Sequence, residues 1–307
     1  MNLTHLVSLA DLSAGQITAL LDRAQDLRPQ ALSGNTQRGA LQGKSVCTLF
    51  FEPSTRTRSS FQLAAMRLGA DVLGFDASHS SGSKGETAVD TMRNLEAMGV
   101  DAFVVRTSVD GQLSELIDAA NASTRFINAG DGRSNHPTQG LLDMLTIRQH
   151  KGHDFSRFKI AMAGDIRHSR VARSDLHALK ALGCGEIRVC GPQALLPDDA
   201  TLDGCTRVAD FDEAIADVDV VMMLRLQRER MQEGLVTSLE HYHSQYGLDT
   251  RRLALAKPDA LVMHPGPMNR GVEITDAVAD GPQSAIMAQV SNGVAVRMAV
   301  LKTIFGA

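Results

Sequence analysis

The sequence predicts an α/β fold with two doubly wound parallel-sheet domains of similar size joined by helices. Short apolar runs alternate along the chain with segments whose apolar residues recur every three or four positions. That alternation is typical of parallel strands covered by helices. The apolar runs are too numerous for one sheet of this kind, which favours two sheets. We place the first domain at 1–135 plus 287–307 and the second at 136–286.

The candidate strands fall into two groups, separated by a helical segment that starts near Pro137. The earlier group is 45–51, 71–75, 101–105 and 125–128. The later group is 159–164, 186–191, 219–224 and 260–264. The helix near Pro137 would join the two halves. The last apolar run, 290–305, is expected to form a C-terminal helix that packs back on the first domain.

Composition narrows the class of protein. The 307 residues are 43% hydrophobic and 21% charged, which is ample apolar content for buried cores. The formal net charge of -4 provides no overall basic field that would draw the chain to nucleic acid or to an anionic membrane. No apolar window is long enough for a membrane span, and we expect a cytoplasmic location. The cysteines lack CxxC spacing and are expected to be reduced thiols, with no metal site and no cofactor.

The stretch FEPSTRTR follows the first candidate strand. Ligands of open α/β sheets bind beyond the carboxyl ends of strands, where loops lead into helices. Here Ser54, Thr55, Arg56 and Thr57 would open a helix whose free N–H groups favour a phosphate, with hydroxyls and a guanidinium completing its shell. The alternative is a Ser or Thr helix cap followed by solvated arginines.

Other strand ends carry polar side chains as well. The residues are Arg106, His136, Thr138, Gln139, Arg167, His168, Arg170, Arg225 and Gln227, and the last strand leads into Pro265–Pro267. Each has a structural alternative, such as a surface arginine or a turn histidine. Their occurrence at so many strand ends favours a binding site. The run AMAGD lacks the GxGxxG pattern, which disfavours a nucleotide-dependent oxidoreductase.

Four motifs, FEPSTRTR, SKGET, HPTQ and HPGPMNRGVEI, together resemble the transcarbamylase family, and the resemblance runs nearly end to end. HPGPMNRGVEI and the Arg-Leu-Gln at 225–227 resemble the aspartate branch, whereas the ornithine branch would carry HCLP and SMG motifs. The resemblance implies carbamoyl transfer from carbamoyl phosphate to L-aspartate, the committed step of pyrimidine synthesis. A transcarbamylase for another amine such as ornithine and an inactive scaffold homologue are the alternatives.

The resemblance also implies residue roles. The carbamoyl phosphate site would comprise Ser54, Thr55, Arg56, Thr57, Arg106, His136 and Gln139, with the main chain at Gly266 and Pro267 holding the amide. The aspartate site would comprise Lys84, Arg170, Arg225 and Gln227. The catalytic group would be Arg56, Thr57, Lys84, Arg106 and His136, with Thr57, Arg106 and His136 facing the carbonyl oxygen.

The segment 76–90 is rich in Ser and Gly, which by composition predicts a mobile surface loop. The resemblance implies a homotrimer with shared active sites, in which Ser80 and Lys84 come from the neighbouring subunit. Gly266 stands where some relatives have leucine. That variant resembles chains that act without a zinc-bearing regulatory chain or that assemble with a dihydroorotase-like partner, and both higher assemblies stay open.

Overall fold

A computed structural model of the chain describes residues 3–33, 39–76, 85–226 and 238–307. The chain divides into two compact units, unit 1 (Met1–Leu145 and Val290–Ala307) and unit 2 (Thr146–Gln289). The sequence placed this boundary at 135/136, before the helix near Pro137, whereas the contacts assign most of that helix to unit 1. In the described part of the chain, no helix has the length and apolar character needed to cross a bilayer.

Unit 1 contains a four-stranded parallel sheet, as the sequence predicts. Its strands are β1 (Ser45–Phe50), β2 (Asp71–Asp76), β3 (Ala102–Thr107) and β4 (Arg125–Asp131), in the order β2-β1-β3-β4. β3 and β4 run further than expected, because their pairing resumes beyond an irregularity with Thr107 opposite Asp131. Arg106 therefore lies within β3 rather than after it.

Helices connect and cover these strands. They are α1 (Ala14–Ser33), α2 (Thr55–Leu68), α3 (Ala88–Ala97), α4 (Gln112–Ala119) and α5 (Pro137–Lys151). The predicted apolar face of α2 is buried, with Phe61, Ala65 and Leu68 fully inaccessible to solvent. Because a parallel sheet requires crossover connections, each of β1 and β4 leads from its carboxyl end into a helix.

Unit 2 contains a five-stranded parallel sheet. Its strands are β5 (Lys159–Ala163), β6 (Glu186–Cys190), β7 (Thr206–Arg207), β8 (Val220–Met223) and β9 (Leu261–Met263), in the order β7-β6-β5-β8-β9. Four of the five confirm sequence predictions. β7 was not predicted, because it is a two-residue edge strand whose exposed Thr and Arg give no apolar pattern.

The remaining helices are α6 (Arg170–Ala181), α7 (Phe211–Ile215), α8 (Leu239–Tyr246), α9 (Thr250–Leu253), α10 (Asp276–Ala279) and α11 (Ile286–Phe305). From Val290 onward α11 belongs to unit 1. Two arginines of α1 bind it, since Arg28 Nε donates to Asn292 Oδ1 at 3.0 Å and Arg23 Nη1 donates to the Thr303 hydroxyl at 3.1 Å. The predicted return of the C-terminal helix to the first domain is confirmed.

All four cysteines are free thiols. Burial raises the pKa of Cys47 and of Cys190 to about 12, and the pKa of Cys184 to about 11. These thiols are protonated at neutral pH, so they act as small apolar side chains rather than as nucleophiles.

Candidate active site

The first turn of α2 has the features of an anion site. Ser54 occupies the N-cap position with an extended backbone, yet its side chain makes no capping hydrogen bond. The capping alternative therefore does not account for this serine. The turn contains no acidic residue; Arg56 is exposed and Thr57 is buried. Unsatisfied backbone N–H groups and nearby positive charge favour a bound phosphate at such a helix start.

Arg106 lies beside this turn and is held in place. Its main chain pairs with β1, where Phe50 lies opposite Arg106, and the N–H of Phe51 just after that strand donates to the Arg106 carbonyl at 2.8 Å. Its guanidinium donates through Nη2 to Glu52 Oε1 and through Nη1 to the Ala129 carbonyl, both at 3.1 Å. Contacts to the residue after β1 and to β4 thus fix a cation at the sheet edge where α2 begins.

A tight turn places His136 at the same edge of the sheet. The turn follows β4 and requires glycine at 132, where φ is 47° and a Cβ atom would overlap the Asp110 carboxylate. Asp110 Oδ1 accepts from the Arg133 N–H at 2.7 Å and from the Ser134 hydroxyl at 2.9 Å. His136 is only 4% exposed and directly precedes α5.

Gln139 lies in the first turn of α5, and its main-chain N–H donates to the His136 carbonyl at 2.9 Å. Its side-chain Nε2 donates to both carboxylate oxygens of buried Asp143, at 3.1 and 3.2 Å. Since β1, β3 and β4 are neighbours in the sheet, their carboxyl ends bring the α2 turn, Arg106 and the start of α5 to one edge of unit 1.

In unit 2, two predicted arginines follow adjacent strands. Arg170 opens α6, whose N-cap Ser169 accepts from the Ala172 N–H at 3.1 Å. Arg225 follows β8, and the Leu224 N–H before it donates to the Ala163 carbonyl of β5 at 2.8 Å. The Arg225 Nε is buried and has no hydrogen-bond partner among the described residues. A buried N–H group without a hydrogen-bond partner is costly, so an acceptor such as the carboxylate of an anionic ligand would stabilise this site.

The sequence placed Arg167 and His168 with these arginines, but both are engaged within the protein. Arg167 donates through Nη2 to the Leu196 carbonyl at 2.7 Å. His168 Nδ1 lies 2.8 Å from Asp165 Oδ1. These contacts support the loop after β5.

Gly266 and Pro267 follow β9, the strand next to β8, and are joined by a cis peptide bond. Their loop is held by buried polar groups: the Gly266 N–H donates to His264 Nδ1 at 2.8 Å, and His264 Nε2 lies 3.1 Å from Glu273 Oε1. Unit 2 therefore presents two arginines and one irregular main-chain loop at the carboxyl ends of β5, β8 and β9.

Three predicted site residues, Ser80, Lys84 and Gln227, lie outside the described residues. Sequence reasoning missed the supporting carboxylates Glu52, Asp143 and Glu273. The four-residue spacing between Gln139 and Asp143 on one helix could have indicated their contact. No periodic signal links Glu273 to His264. In the regions that the structure describes, no group of three or more His, Cys, Asp or Glu side chains is placed to hold a metal ion.

Family models match both halves of the chain. The carbamoyl-P binding domain of the aspartate/ornithine carbamoyltransferases matches residues 4–149, and the Asp/Orn binding domain matches residues 156–304. The two sheets with donors at their carboxyl ends are thus those of a carbamoyltransferase. The chain belongs to the aspartate/ornithine carbamoyltransferase family.

Similar curated proteins fall in the aspartate branch. The aspartate carbamoyltransferase catalytic subunit of Stenotrophomonas maltophilia (strain K279a) is 66% identical over 306 residues, which are 99% of this chain and 96% of that protein. The subunit of the same name from Xanthomonas campestris pv. campestris (strain B100) is 64% identical over 304 residues, again 99% of this chain and 96% of that protein.

Solved structures of both branches share the fold. Aspartate transcarbamoylase from Trypanosoma cruzi, in complex with carbamoyl phosphate and aspartate, has a TM-score of 0.88 and 32% identity, covering 98% of this chain and 97% of its own. Ornithine carbamoyltransferase from Pyrococcus furiosus has a TM-score of 0.86 and 29% identity, covering 99% and 97%. Fold alone does not separate the two branches, so the second substrate must be argued from the site.

Proposed function

We propose that this chain transfers the carbamoyl group of carbamoyl phosphate to the α-amine of L-aspartate, giving N-carbamoyl-L-aspartate and phosphate, the committed step of de novo pyrimidine synthesis. The observation that carries the choice of aspartate is the pair Arg170 and Arg225 at the ends of adjacent strands. Two guanidinium groups match the two carboxylates of aspartate, whereas the side-chain ammonium of ornithine would be repelled. The names of the two curated relatives described above agree with this choice.

Unit 1 binds carbamoyl phosphate in this proposal. The α2 turn receives the phosphate through Ser54, Thr55, Arg56 and Thr57. The remainder of the carbamoyl phosphate site is formed by Arg106, His136 and Gln139. The absence of acidic residues from the first turn of α2 supports this assignment, as does the fixed guanidinium of Arg106. The match of this half to a carbamoyl-P binding domain supports it as well.

The chemistry requires an activated donor and a positively charged site. The neutral α-amine of aspartate attacks the carbonyl carbon, and negative charge develops on the carbonyl oxygen, which Thr57, Arg106 and His136 stabilise. A C–N bond forms, the C–O bond to phosphate breaks, and the departing phosphate takes the amine proton. His136 acts as a hydrogen-bond donor to the oxyanion. The main chain at Gly266 and Pro267 holds the amide, and the protein supplies proximity and preorganised charge.

The active form in this proposal is a cytoplasmic homotrimer. Ser80 and Lys84 enter each site from the neighbouring subunit, and Lys84 and Gln227 help to bind aspartate. Support for these assignments comes from the sequence motifs, since all three residues lie outside the described regions. A further dihydroorotase-like or regulatory chain is compatible with the variant at Gly266.

Stoichiometry tests the proposed function. Purified protein is incubated with ¹³C-carbamoyl phosphate and L-aspartate, and the ureido carbon and released phosphate are measured by NMR. We expect one ureido carbon for each phosphate, formed only when aspartate is present. A parallel preparation of Arg56→Ala controls for host enzyme carried through purification. Phosphate release without a ureido product, or no turnover at all, would favour the inactive scaffold.

A further inference from the structure

The loop after β9 contributes to the proposed site through its main chain, so no side-chain rotamer can direct its hydrogen-bonding groups. In the proposed function, its contribution is made by main-chain carbonyls at Gly266 and Pro267. A main-chain acceptor has no rotamer of its own, so only the conformation of the whole loop can aim it. Gly266 has φ of 62°, in the left-handed region that glycine enters without strain, so this residue does not by itself select the conformation and other contacts must hold it.

His264 provides the first of these contacts. Its main-chain N–H donates to Gln289 Oε1 at 2.9 Å, and its Nδ1 accepts from the Gly266 N–H at 2.8 Å. Because Nδ1 accepts, the ring proton of the neutral imidazole is on Nε2. Nε2 then donates to Glu273 Oε1 at 3.1 Å, and both side chains are completely buried. The tautomer of His264 thus depends on two partners that lie on opposite sides of the ring.

Glu273 fixes the other end of the same loop. Its Oε1 also accepts from the Asn269 N–H at 2.6 Å, so one carboxylate oxygen binds both His264 and Asn269. Asn269 in turn donates through Nδ2 to the Leu226 carbonyl at 2.9 Å, next to Arg225. The loop of residues 264–269 is therefore closed by one buried carboxylate and connected to the strand end that carries an aspartate-binding arginine.

We propose that His264 and Glu273 are positioning residues that aim the 264–269 loop at the amide of carbamoyl phosphate. This inference rests on the proposed function, because it assigns the loop to the amide half of that substrate. Neither residue touches the substrate. Their effect is selective: they matter for a ligand with amide N–H groups and not for an analogue that lacks them. Misplacing main-chain acceptors by even half an ångström is enough to weaken such a contact.

Acetyl phosphate is the appropriate probe, because it keeps the carbonyl group but has a methyl group where carbamoyl phosphate has the amide NH2. Dissociation constants for both ligands are measured on the intact protein and on two matched pairs of variants. His264→Gln removes the acceptor for the Gly266 N–H, whereas His264→Asn keeps an oxygen at the Nδ1 position. Glu273→Leu removes the acceptor for His264 and Asn269, whereas Glu273→Gln keeps one.

We expect His264→Gln and Glu273→Leu to weaken carbamoyl phosphate binding about tenfold, or ~1.4 kcal/mol, with acetyl phosphate changed less than about twofold. The conservative partners should stay within about threefold of the parent for both ligands. Tyr242→Phe is the control, since Tyr242 is buried in the same unit and its hydroxyl has no hydrogen-bond partner in the described regions. If Glu273→Leu fails to fold, the His264 pair carries the test.

Two results would overturn the positioning role and leave only a structural one. The first is an equal loss of affinity for both ligands, and the second is no loss of affinity in either His264→Gln or Glu273→Leu. The parent protein separates this inference from the proposed function. Ureido product without any preference for carbamoyl over acetyl phosphate overturns the positioning role alone. A parent that makes no ureido product overturns the proposed function.

Discussion

The side-chain Nε2 of Gln139 lies 3.1 and 3.2 Å from the two carboxylate oxygens of Asp143, one turn further along α5. A carboxylate only accepts, so this contact orients the amide of Gln139 with its nitrogen towards Asp143. The Oε1 atom receives no hydrogen bond from the described residues and is available to accept from a ligand. Gln139 is therefore suited to the amide of carbamoyl phosphate rather than to its phosphate.

Asp143→Asn tests this orientation. An asparagine can donate as well as accept, so Gln139 would no longer be held with its oxygen outward. We expect the KM for carbamoyl phosphate to rise about tenfold while the KM for aspartate changes less than about twofold. Steady-state kinetics provide the measurement, with Asp118→Asn, an exposed position on α4, as the control. An unchanged KM for carbamoyl phosphate would mean that Asp143 does not orient Gln139.

Arg56→Ala tests the phosphate site proposed for unit 1. Arg56 is exposed at a helix start, so the fold should persist, while charge stabilisation at the leaving phosphate is lost. We expect the activation barrier to rise by about 2.7–4 kcal/mol, as for other preorganised donors, measured as the fall in kcat. Arg67→Ala, in the last turn of the same helix, is the control and should keep its turnover. Near-normal turnover of Arg56→Ala would refute the site.

Much of this fold follows from local pattern. Buried parallel strands give continuous apolar runs, and among the described residues eight of the nine strands are predicted from them; the exception there is the exposed Thr206–Arg207 pair. The polar side chains at strand ends can also be predicted from the sequence, because the carboxyl ends of neighbouring parallel strands share one edge of the sheet. The residues that hold these side chains and loops in place cannot be predicted in this way. The contact between His264 and Glu273 depends on how a loop folds back on itself, which no residue periodicity encodes.

Arg225→Ala should affect the second substrate selectively. Its Nε is buried with no hydrogen-bond partner in the described part of the chain, and it belongs to the unit that matches the Asp/Orn binding domain. We expect the KM for aspartate to rise at least about tenfold with binding of carbamoyl phosphate unchanged. Arg251→Ala, an exposed arginine that pairs with Asp212, is the control. Equal weakening of both substrates would show that the division of roles between the arginines is wrong.

If each active site is shared between two subunits, mixed trimers of two inactive variants should regain activity. Arg56→Ala and Lys84→Ala chains, each nearly inactive, are unfolded, mixed and refolded together. In a closed trimer that takes its phosphate turn from one chain and its lysine from the next, roughly one site in three of each hybrid is intact. Recovered activity that scales with the hybrid fraction is the expected result. Activity that stays at the level of the separate variants despite chain exchange would place Lys84 within its own subunit's site or on the surface.

A competition between two amines measures directly which second substrate the protein uses. The purified protein receives carbamoyl phosphate with equal concentrations of L-aspartate and L-ornithine in one reaction, and the ureido products are separated and quantified. Because the proposed roles of Arg170 and Arg225 are to pair with two carboxylates and to repel an ammonium group, we expect carbamoyl aspartate as the product and no citrulline above the background of a protein-free reaction. Citrulline as the main product would contradict it.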